Sequence, residues 1–532
     1  MKRRDFIKTS SVLAGASFLW HCSHAFAFPE NADSDFNSLE IALFETSDAR
    51  YQAVYSHALR TLRANIVRLA NYPKPVLIEG ANYQGAWLEC APHEALVYAP
   101  IRADVARNNH LLFFALQRED GQMPCWVRKG AVGFAQIQMV VPIAATAWEV
   151  AQQNGDSELL EKAYNACSKW DQWLQKYRDT RQTRLCEGFC TYDTGHDNSP
   201  RWAGMPNRCP DGDARKCPPL PSLPRLSPDL SATVYGGRIA LAAMANALGM
   251  TAEHDRWLAD ADAIRTAILT RLYSEEDAAF YDRDAQDQFV RIRGDVITRV
   301  LSEHVVDQNL FDTVYRHQIH NPSAFWVPYP FPSIALDDPA FVRPIPPNSW
   351  GGAAQALTAL RAPRWMEHYG KPADLAHLMQ RWLEAILKVD KFLQQMDPLN
   401  GSFTMGEADY SPAALVFFDF TWRLAGVRKQ GKDLEWNVRP MPPDLRASYS
   451  WKLVPTRIAK LRYSAGVAYL RINNRDLCRT SSTVRLVSDE HGNLKHAIGI
   501  AEAPANVLLK LSSGREEKFT VRPNETVNIR RH

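Results

Sequence analysis

The chain has 532 residues, of which 46% are hydrophobic and 23% are charged, a composition typical of globular proteins that excludes long disordered segments. The 62 Lys and Arg residues nearly balance the 59 Asp and Glu residues, for a net charge of +3. No basic surface therefore points to a nucleic-acid partner or to an anionic membrane.

The N-terminal residues have the pattern of a signal peptide. The pair Arg3-Arg4 is followed by an uncharged stretch from Thr9 to Trp20, and Ala25-Phe26-Ala27 offers a cleavage site. This pattern resembles a bacterial twin-arginine (Tat) signal peptide, which implies that the Tat translocase exports the folded chain to the periplasm. We expect residues 1–27 to be removed. Because no later segment has about 18 uninterrupted apolar residues, the mature chain is not expected to enter the membrane.

Helical periodicity dominates residues 48–427. The first apolar stripe runs from Tyr51 to Ile66, and later helices are paired across short turns such as Asn154-Gly155-Asp156. The other segments with a helical pattern are Val105–Gln117, Ile137–Gln152, Leu159–Tyr177, Ser231–Leu248, His254–Leu272, Val296–His304, Asn309–Gln318, Trp350–Tyr369, Ala373–Gln395 and Ser411–Gly426.

Long segments without a helical pattern separate many of these helices. They are residues 71–100, 179–228, 274–293 and 322–347. Paired helices with long loops on alternate connections predict a mainly α fold, an (α/α)6 toroid over residues 28–430, with the long loops gathered at one mouth. A helical solenoid is the alternative, but the sequence has no fixed repeat period.

After Lys429 the pattern changes to short strands separated by turn residues. The predicted strands are 435–438, 459–463, 467–472, 483–487, 505–511 and 518–521. We therefore expect a small C-terminal β-sandwich over residues 431–532, without catalytic residues of its own.

One of the nine cysteines, Cys22, lies in the signal segment. In an oxidising periplasm, bridges within the close pairs Cys186/Cys190 and Cys209/Cys217 are possible, although the connectivity stays open. A zinc site is less favoured, because no histidine lies at ligand spacing and there is no Cys-x-x-Cys sequence.

The densest group of chemically active residues is Tyr192-Asp193-Thr194-Gly195-His196-Asp197-Asn198-Ser199-Pro200-Arg201-Trp202. A tryptophan close to an aspartate can shield the carboxyl from water. Burial raises the pKa of a carboxyl group, as general-acid work near neutral pH requires. The alternative is a structural Asp-Asn turn with Arg201 in a salt bridge.

This stretch resembles the Gly-x-Asp-Asn-Ser-Pro-Arg-Trp motif of glycoside hydrolases related to trehalases, mannosylglycerate hydrolases and processing α-glucosidases, in families 37 and 63. The resemblance implies that Asp197 is the general acid. Residues 85–89 (Gly-Ala-Trp-Leu-Glu), 117–124 (Gln-Arg-Glu-Asp-Gly-Gln-Met-Pro) and 348–352 (Asn-Ser-Trp-Gly-Gly) are similar to further motifs of these families. Together the motifs extend from Tyr83 to Val427.

An inverting glycosidase needs a second carboxylate roughly 6.5–9.5 Å from the first, with a water between them. The resemblance places this base at Gln394, four residues before Pro398, where an amide cannot accept a proton. We therefore predict Glu407 as the base, with Asp397 and Asp409 as alternatives. Glu407 would otherwise be a carboxylate that interacts with a helix N-terminus.

Further residues are predicted to contact a sugar by ring stacking or hydrogen bonding. They are Trp87, Glu89, Trp126, Asp193, Asn198, Arg201, Trp202, Trp350 and Tyr410. The resulting hypothesis is an exported glycoside hydrolase that removes a terminal, α-linked sugar from an oligosaccharide with inversion and needs no metal or organic cofactor. A polysaccharide lyase on the same barrel and a non-catalytic oligosaccharide-binding protein are the alternatives.

Overall fold

The structure is a computed structural model that describes residues 41–404, 407–454 and 456–529. The predicted signal peptide, residues 1–27, lies outside the described residues. The described part contains twelve α-helices: α1 (Ala49–Ala64), α2 (Ala91–Tyr98), α3 (Ala103–Ala115), α4 (Ile143–Asn154), α5 (Ser157–Tyr177), α6 (Pro228–Ala247), α7 (Thr251–Arg271), α8 (Val296–Ser302), α9 (Gln308–Val314), α10 (Ala356–Met366), α11 (Pro372–Val389) and α12 (Ser411–Ala425).

The even-numbered helices form a closed inner ring. Each contacts the next from α2 to α12, and α12 contacts α2. The odd-numbered helices lie outside this ring, as α7 does on α6 and α11 on α12. Of the residues of α12, all but Arg423 are buried, whereas α7 buries a single stripe that includes Trp257 and Ile264. This difference is typical of a core helix and a surface helix. The predicted (α/α)6 toroid is confirmed.

Two classes of connection set the location of the site. The five connections from an inner helix to the next outer helix have two to five residues. The six connections from an outer helix to the next inner helix are all longer than 20 residues. Because every long connection leads into the N-terminus of an inner helix, the long connections gather at one mouth of the toroid, as predicted.

Helix α2 was not predicted, since it lies in the segment 71–100 that lacks a helical pattern. It has eight residues with Pro92 in its first turn, and all but one of them are buried. A short helix buried on all sides has no polar face, so its sequence shows no amphipathic period.

The strands of the described residues are β1 (Ala42–Thr46), β2 (Ile66–Leu69), β3 (Tyr72–Leu77), β4 (Gly85–Trp87), β5 (Trp126–Arg128), β6 (Ala131–Gly133), β7 (Glu187–Gly188), β8 (Arg225–Leu226), β9 (Tyr273–Ser274), β10 (Ala279–Phe280), β11 (Asp282–Arg283), β12 (Phe289–Val290), β13 (Ala354–Gln355), β14 (Gln395–Met396), β15 (Val427–Gln430), β16 (Asp433–Val438), β17 (Ala447–Val454), β18 (Arg457–Ser464), β19 (Val467–Ile472), β20 (Arg475–Thr480), β21 (Val484–Asp489), β22 (Leu494–Ile498), β23 (Ala505–Leu511), β24 (Glu516–Val521) and β25 (Thr526–Asn528). Those between β2 and β14 lie in the long connections of the toroid or at their ends.

Two antiparallel sheets form the C-terminal sandwich. Their strand orders are β1-β17-β18-β19-β20-β23-β24 and β15-β16-β21-β22-β25, and β15 contacts β17 and β18 of the opposite sheet. The predicted sandwich is confirmed, but its first strand starts at Val427, before the predicted boundary at 431. Strand β1 also joins it, with Ala42 opposite Trp451. An isolated strand so far along the chain from its partner carries no sequence signal of that pairing. No helix of the described ranges combines the length and apolarity needed to cross a membrane.

Candidate active site

A pocket of about 650 Å³ opens at the mouth where the long connections meet. Its lining comes from five of the six long connections and from one residue of α10. The lining residues are Glu79, Tyr83, Trp87, Glu89, Trp126, Arg128, Gln136, Gln138, Tyr192, Gly195, Asp197, Arg208, Trp350, Leu357, Gln394 and Tyr410. Six of them, Trp87, Glu89, Trp126, Asp197, Trp350 and Tyr410, are among the residues predicted from the sequence.

Asp197 is held at the pocket wall through its backbone and its side chain. Its carbonyl oxygen accepts a hydrogen bond of 3.0 Å from the backbone N–H of Trp350, and Nδ2 of Asn348 donates to its Oδ2 at 3.3 Å. Burial and the nearby charge of Glu89 raise the pKa of Asp197 to about 7, although the hydrogen bond from Asn348 opposes this shift. A carboxyl group with this pKa keeps its proton in a large fraction of molecules near neutral pH, as a general acid must.

Glu89 lies directly against the loop that carries Asp197. A Cβ atom at Gly195 would stand 1.5 Å from Oε2 of Glu89, and the φ of Gly195 is +63°, so only glycine fits there. Burial raises the pKa of Glu89, while the charges of Arg361 and Arg299 oppose this rise. Glu89 therefore brings partial negative charge close to the acid.

Three tryptophans form the aromatic part of the pocket. Trp87 and Trp126 are opposite each other on β4 and β5, and Trp350 lies two residues after Asn348. The indole of Trp126 packs against Gly133 of β6, where a Cβ atom would lie 2.1 Å from its Cε2. Flat aromatic surfaces of this kind suit the apolar faces of sugar rings.

Asp193 does not reach the pocket, although we predicted it as a substrate contact. It is fully buried, and its carboxylate accepts hydrogen bonds from Nη1 of Arg178 at 2.6 Å and from the backbone N–H of Ile137 and Phe189 at 2.8 and 2.7 Å. A carboxylate with all these donors is occupied inside the protein. Asp193 therefore fixes the start of the loop that carries Asp197 (the acid loop) instead of binding substrate.

Arg201 and Trp202 were also predicted as substrate contacts, but neither lines the pocket. The guanidinium of Arg201, whose residue is 3% exposed, pairs with Asp282 at 2.5 Å and with Asp229 at 2.7 Å. The ring of Trp202 is buried as well, with the Cζ atoms of Arg201 and Arg225 5.5 and 5.2 Å from its centroid. The sequence alternative, in which Arg201 forms a structural ion pair, is the one observed.

His196 is a buried neighbour of the acid that is turned away from the pocket. Its Nε2 lies 2.9 Å from Oδ1 of Asp295, and its ring packs on Trp350 with centroids 4.8 Å apart. Burial and the charge of Arg299 lower the pKa of His196 to about 4. The imidazole is thus a neutral anchor near pH 7.

Asn198 and Glu407, the predicted base, do not line the pocket either. Asn198 is exposed, and its Nδ2 donates to the backbone oxygen of Asn348 at 2.8 Å. Glu407 is exposed and does not line the pocket, so we do not retain it as the base. Of the two alternatives, Asp397 pairs with Arg343 at 2.9 Å and Asp409 is exposed, and neither lines the pocket.

Gln394 is the residue at which the resemblance places the base, and it does line the pocket. Its Oε1 accepts a hydrogen bond of 3.1 Å from Tyr83, and its Nε2 donates to Oδ1 of Asn348 at 3.2 Å. Since Asn348 also donates to Asp197, a line of polar groups runs from Tyr83 to the acid. Gln394 therefore positions other groups and cannot itself take a proton from water.

Several pocket residues were missed in the sequence. They are Glu79, Arg128, Gln136, Gln138, Tyr192 and Arg208. One signal was available: Glu79 ends the buried apolar run Val76-Leu77-Ile78, where an acidic residue is unusual. Tyr192 lies in a single 3-10 turn (Thr191–Asp193) and Arg208 in an irregular loop, and the sequence does not show where side chains in such segments point.

Two groups of side chains in the described residues have the spacing of cation ligands. In the first, Cys190, Asp193 and Cys209, the aspartate is already paired with Arg178. In the second, Glu79, Cys90 and Glu94, one ligand atom from each lies within 4.8 Å of the others. Burial raises the pKa of Cys90 well above the ordinary thiol value and that of Glu94 to about 7, so this second set binds protons strongly. The Sγ atoms of Cys190 and Cys209 are 3.7 Å apart, and these two cysteines come from different close pairs of the sequence.

Several solved structures of glycosidases have a fold similar to that of this chain. A mannosylglycerate hydrolase of family 63 from Thermus thermophilus shares 18% identity over 69% of this chain and 100% of its own, with a TM-score of 0.57. A family 78 rhamnosidase from a Bacillus species shares 14% identity over 81% of this chain and 41% of its own, with a TM-score of 0.54. The neutral trehalase of Saccharomyces cerevisiae shares 13% identity over 69% of this chain and 80% of its own, with a TM-score of 0.52.

Sequence comparison gives the family itself. No curated protein matches the chain with significant sequence similarity. Residues 83–412 match the family described as Mannosylglycerate hydrolase MGH1-like glycoside hydrolase domain, in agreement with the resemblance noted in the motifs. Because this match covers more than half of the sequence, the chain belongs to that family and is a glycoside hydrolase.

Proposed function

We propose that the protein removes a terminal, α-linked sugar from its substrate with inversion at the anomeric carbon, with Asp197 as the general acid. The observation that carries this proposal is the partly buried carboxyl of Asp197, whose pKa is raised to about 7, in the wall of a pocket with three tryptophans. Family membership favours hydrolysis over the lyase and the non-catalytic alternatives.

In this reaction Asp197 donates its proton to the glycosidic oxygen as the bond to the anomeric carbon breaks. A water attacks the opposite face of the sugar and loses a proton to a second carboxylate. Among the described residues, the other carboxylates that line the pocket are Glu79 and Glu89. The tryptophans stack on the sugar and exclude water, which strengthens the electrostatic interactions within the pocket.

The substitution Asp197→Asn tests the acid. Loss of proton donation should lower kcat about 10²–10⁴-fold on glycosides with poor leaving groups. Hydrolysis of glycosyl fluorides should be nearly unchanged, because fluoride leaves without protonation. A variant of an exposed glutamate on the outer helix α5, Glu161→Gln, serves as the control. Equal losses on both classes of substrate would contradict the role of Asp197.

The substitution Glu89→Gln tests how the pKa of the acid is set. Activity requires protonated Asp197, so it is present below the pKa of this group and is lost as the pH rises through it. The charge of Glu89 raises this pKa, so its removal should move the alkaline limb of kcat/KM to lower pH by about one unit. A pH profile that keeps its alkaline limb would show that Glu89 does not act on Asp197.

We further propose that the group attached to the sugar is acidic. Arg128 and Arg208 line the pocket, are exposed at its mouth, and form no ion pair with any acidic residue in the described part of the chain. Arg128 is held over the rings of Trp87 and Trp126, with its Cζ 4.7 and 5.3 Å from their centroids. A related structure, the Thermus thermophilus mannosylglycerate hydrolase, was determined with Tris and D-glycerate. Guanidinium groups in the pocket lining suit a carboxylate such as glycerate.

The substitution Arg208→Gln should raise KM about tenfold for a sugar linked to glycerate, which corresponds to about 1.4 kcal/mol of lost binding. It should leave KM for the neutral methyl glycoside unchanged. Arg215→Gln is the matched control, since Arg215 lies on the same connection, pairs with Asp213 and does not line the pocket. A similar rise in KM for both substrates would remove the case for an acidic aglycone.

We also propose export to the periplasm by the Tat translocase, from the twin-arginine pattern at residues 1–27. The double substitution Arg3→Lys and Arg4→Lys should retain the chain in the cytoplasm of a bacterial host, because Tat receptors read the arginine pair. Cell fractionation with immunoblotting measures the distribution. Unchanged periplasmic yield of the variant would contradict export by this route.

A further inference from the structure

Glu79 is a buried pocket carboxylate that no motif of the sequence accounts for. The residue is 3% exposed, and its Oε1 accepts a hydrogen bond of 2.7 Å from the hydroxyl of Tyr410. Its backbone is fixed as well, because Ser411 donates to its carbonyl oxygen at 2.8 Å and its own N–H donates to Gly85 at 3.0 Å. Glu79 therefore has a defined position and orientation in the pocket wall.

The topology places Glu79 across the mouth from Asp197. The acid loop is anchored to the starts of α6 and α8 through Asp229 and Asp295. Glu79 is bound at the start of α12 through Tyr410 and its neighbour. In the closed ring of six inner helices, α12 lies opposite α6. Glu89, in contrast, packs against Gly195 and thus lies on the side of the acid.

Glu94 is a second buried glutamate close to Glu79. It is fully buried, neither of its carboxyl oxygens has a hydrogen-bond partner of ordinary geometry, and a carboxyl oxygen lies within 4.8 Å of the thiol of Cys90. Burial and the charges of Glu94 and Glu89 raise the pKa of Glu79, and burial raises that of Glu94 to about 7. The hydrogen bond from Tyr410 opposes the rise in the pKa of Glu79, because it stabilises the ionised carboxylate, and a base with a raised pKa binds a proton from water more strongly.

We propose that Glu79 is the catalytic base of the hydrolysis, with Glu94 as its buried partner. This assignment rests on the proposed function. The carboxylate of Glu79 takes a proton from the attacking water, whose oxygen forms the new bond to the anomeric carbon. Asp197 gives its proton to the glycosidic oxygen as the old bond breaks. The proposed base is thus Glu79 and not residue 394, where the resemblance places it. Glu79 is held by Tyr410 and Ser411 at the start of α12.

The decisive comparison uses α-glucosyl fluoride, α-mannosyl fluoride and the matching methyl glycosides. Glu79→Gln should lower kcat about 10²–10⁴-fold on the fluorides as well as on the glycosides, since water activation is needed for both. Asp197→Asn should spare the fluorides. Glu79→Ala should regain activity with added formate or azide, which confirms that the variant is folded. Glu161→Gln, an exposed site on the outer helix α5, is the control and should keep wild-type activity on both classes of substrate.

Four results would overturn the proposal. Wild-type activity retained by Glu79→Gln removes Glu79 as the base while leaving Asp197 in place. A loss on the fluorides in Glu407→Gln, with Glu79→Gln active, returns the role to the sequence prediction. Loss of wild-type activity on chelation, restored by a divalent cation, makes Glu79 and Glu94 ligands instead of a proton acceptor and its partner. A wild type that cleaves none of these compounds overturns the proposed function together with this assignment.

Discussion

The geometry of the pocket depends on one buried guanidinium group. Arg201 is almost inaccessible to solvent, and a buried charge is tolerated only when it is paired and hydrogen-bonded. Asp229 of α6 and Asp282 of β11 satisfy this requirement, and the charge of Arg201 in turn holds the pKa of Asp229 well below its usual range. The loop that contains the acid is thereby attached to the inner ring, and moving it would separate the buried charge of Arg201 from both aspartates.

The acid motif can be understood as a set of anchors around a single reactive group. Asp193 is attached to Arg178, His196 faces Asp295, and Arg201 pairs with two aspartates, so the side chain of Asp197 is the one of these four directed to the pocket. The environment of Asp197 then determines its chemistry. Burial and the charge of Glu89 raise the pKa of Asp197 to about 7, whereas the hydrogen bond from Tyr410 opposes the rise that burial causes in the pKa of Glu79. The proposed roles of the two carboxyl groups, an acid and a base, thus depend on different neighbours.

Much of the fold was predictable because it depends on local patterns. The helical period, the Gly155 turn with its φ of +62° and the alternation after Lys429 gave the toroid and the sandwich. The site was predictable only in part. Residue types in the acid motif indicate the chemistry but not the direction of each side chain, so Asp193, Arg201 and Trp202 were expected in the pocket and are buried behind it. Glu79 was missed because its role depends on Tyr410, more than 300 positions further along the chain.

The central claim is that the carboxyl of Asp197 is still largely protonated at a pH where ordinary aspartates are ionised. The most direct measurement is an infrared difference titration of the wild type against Asp197→Asn, which isolates the carboxyl stretch of this one residue. The account predicts that the band of the protonated carboxyl disappears with a midpoint near pH 7. A midpoint near pH 4, the value of an exposed aspartate, would contradict it.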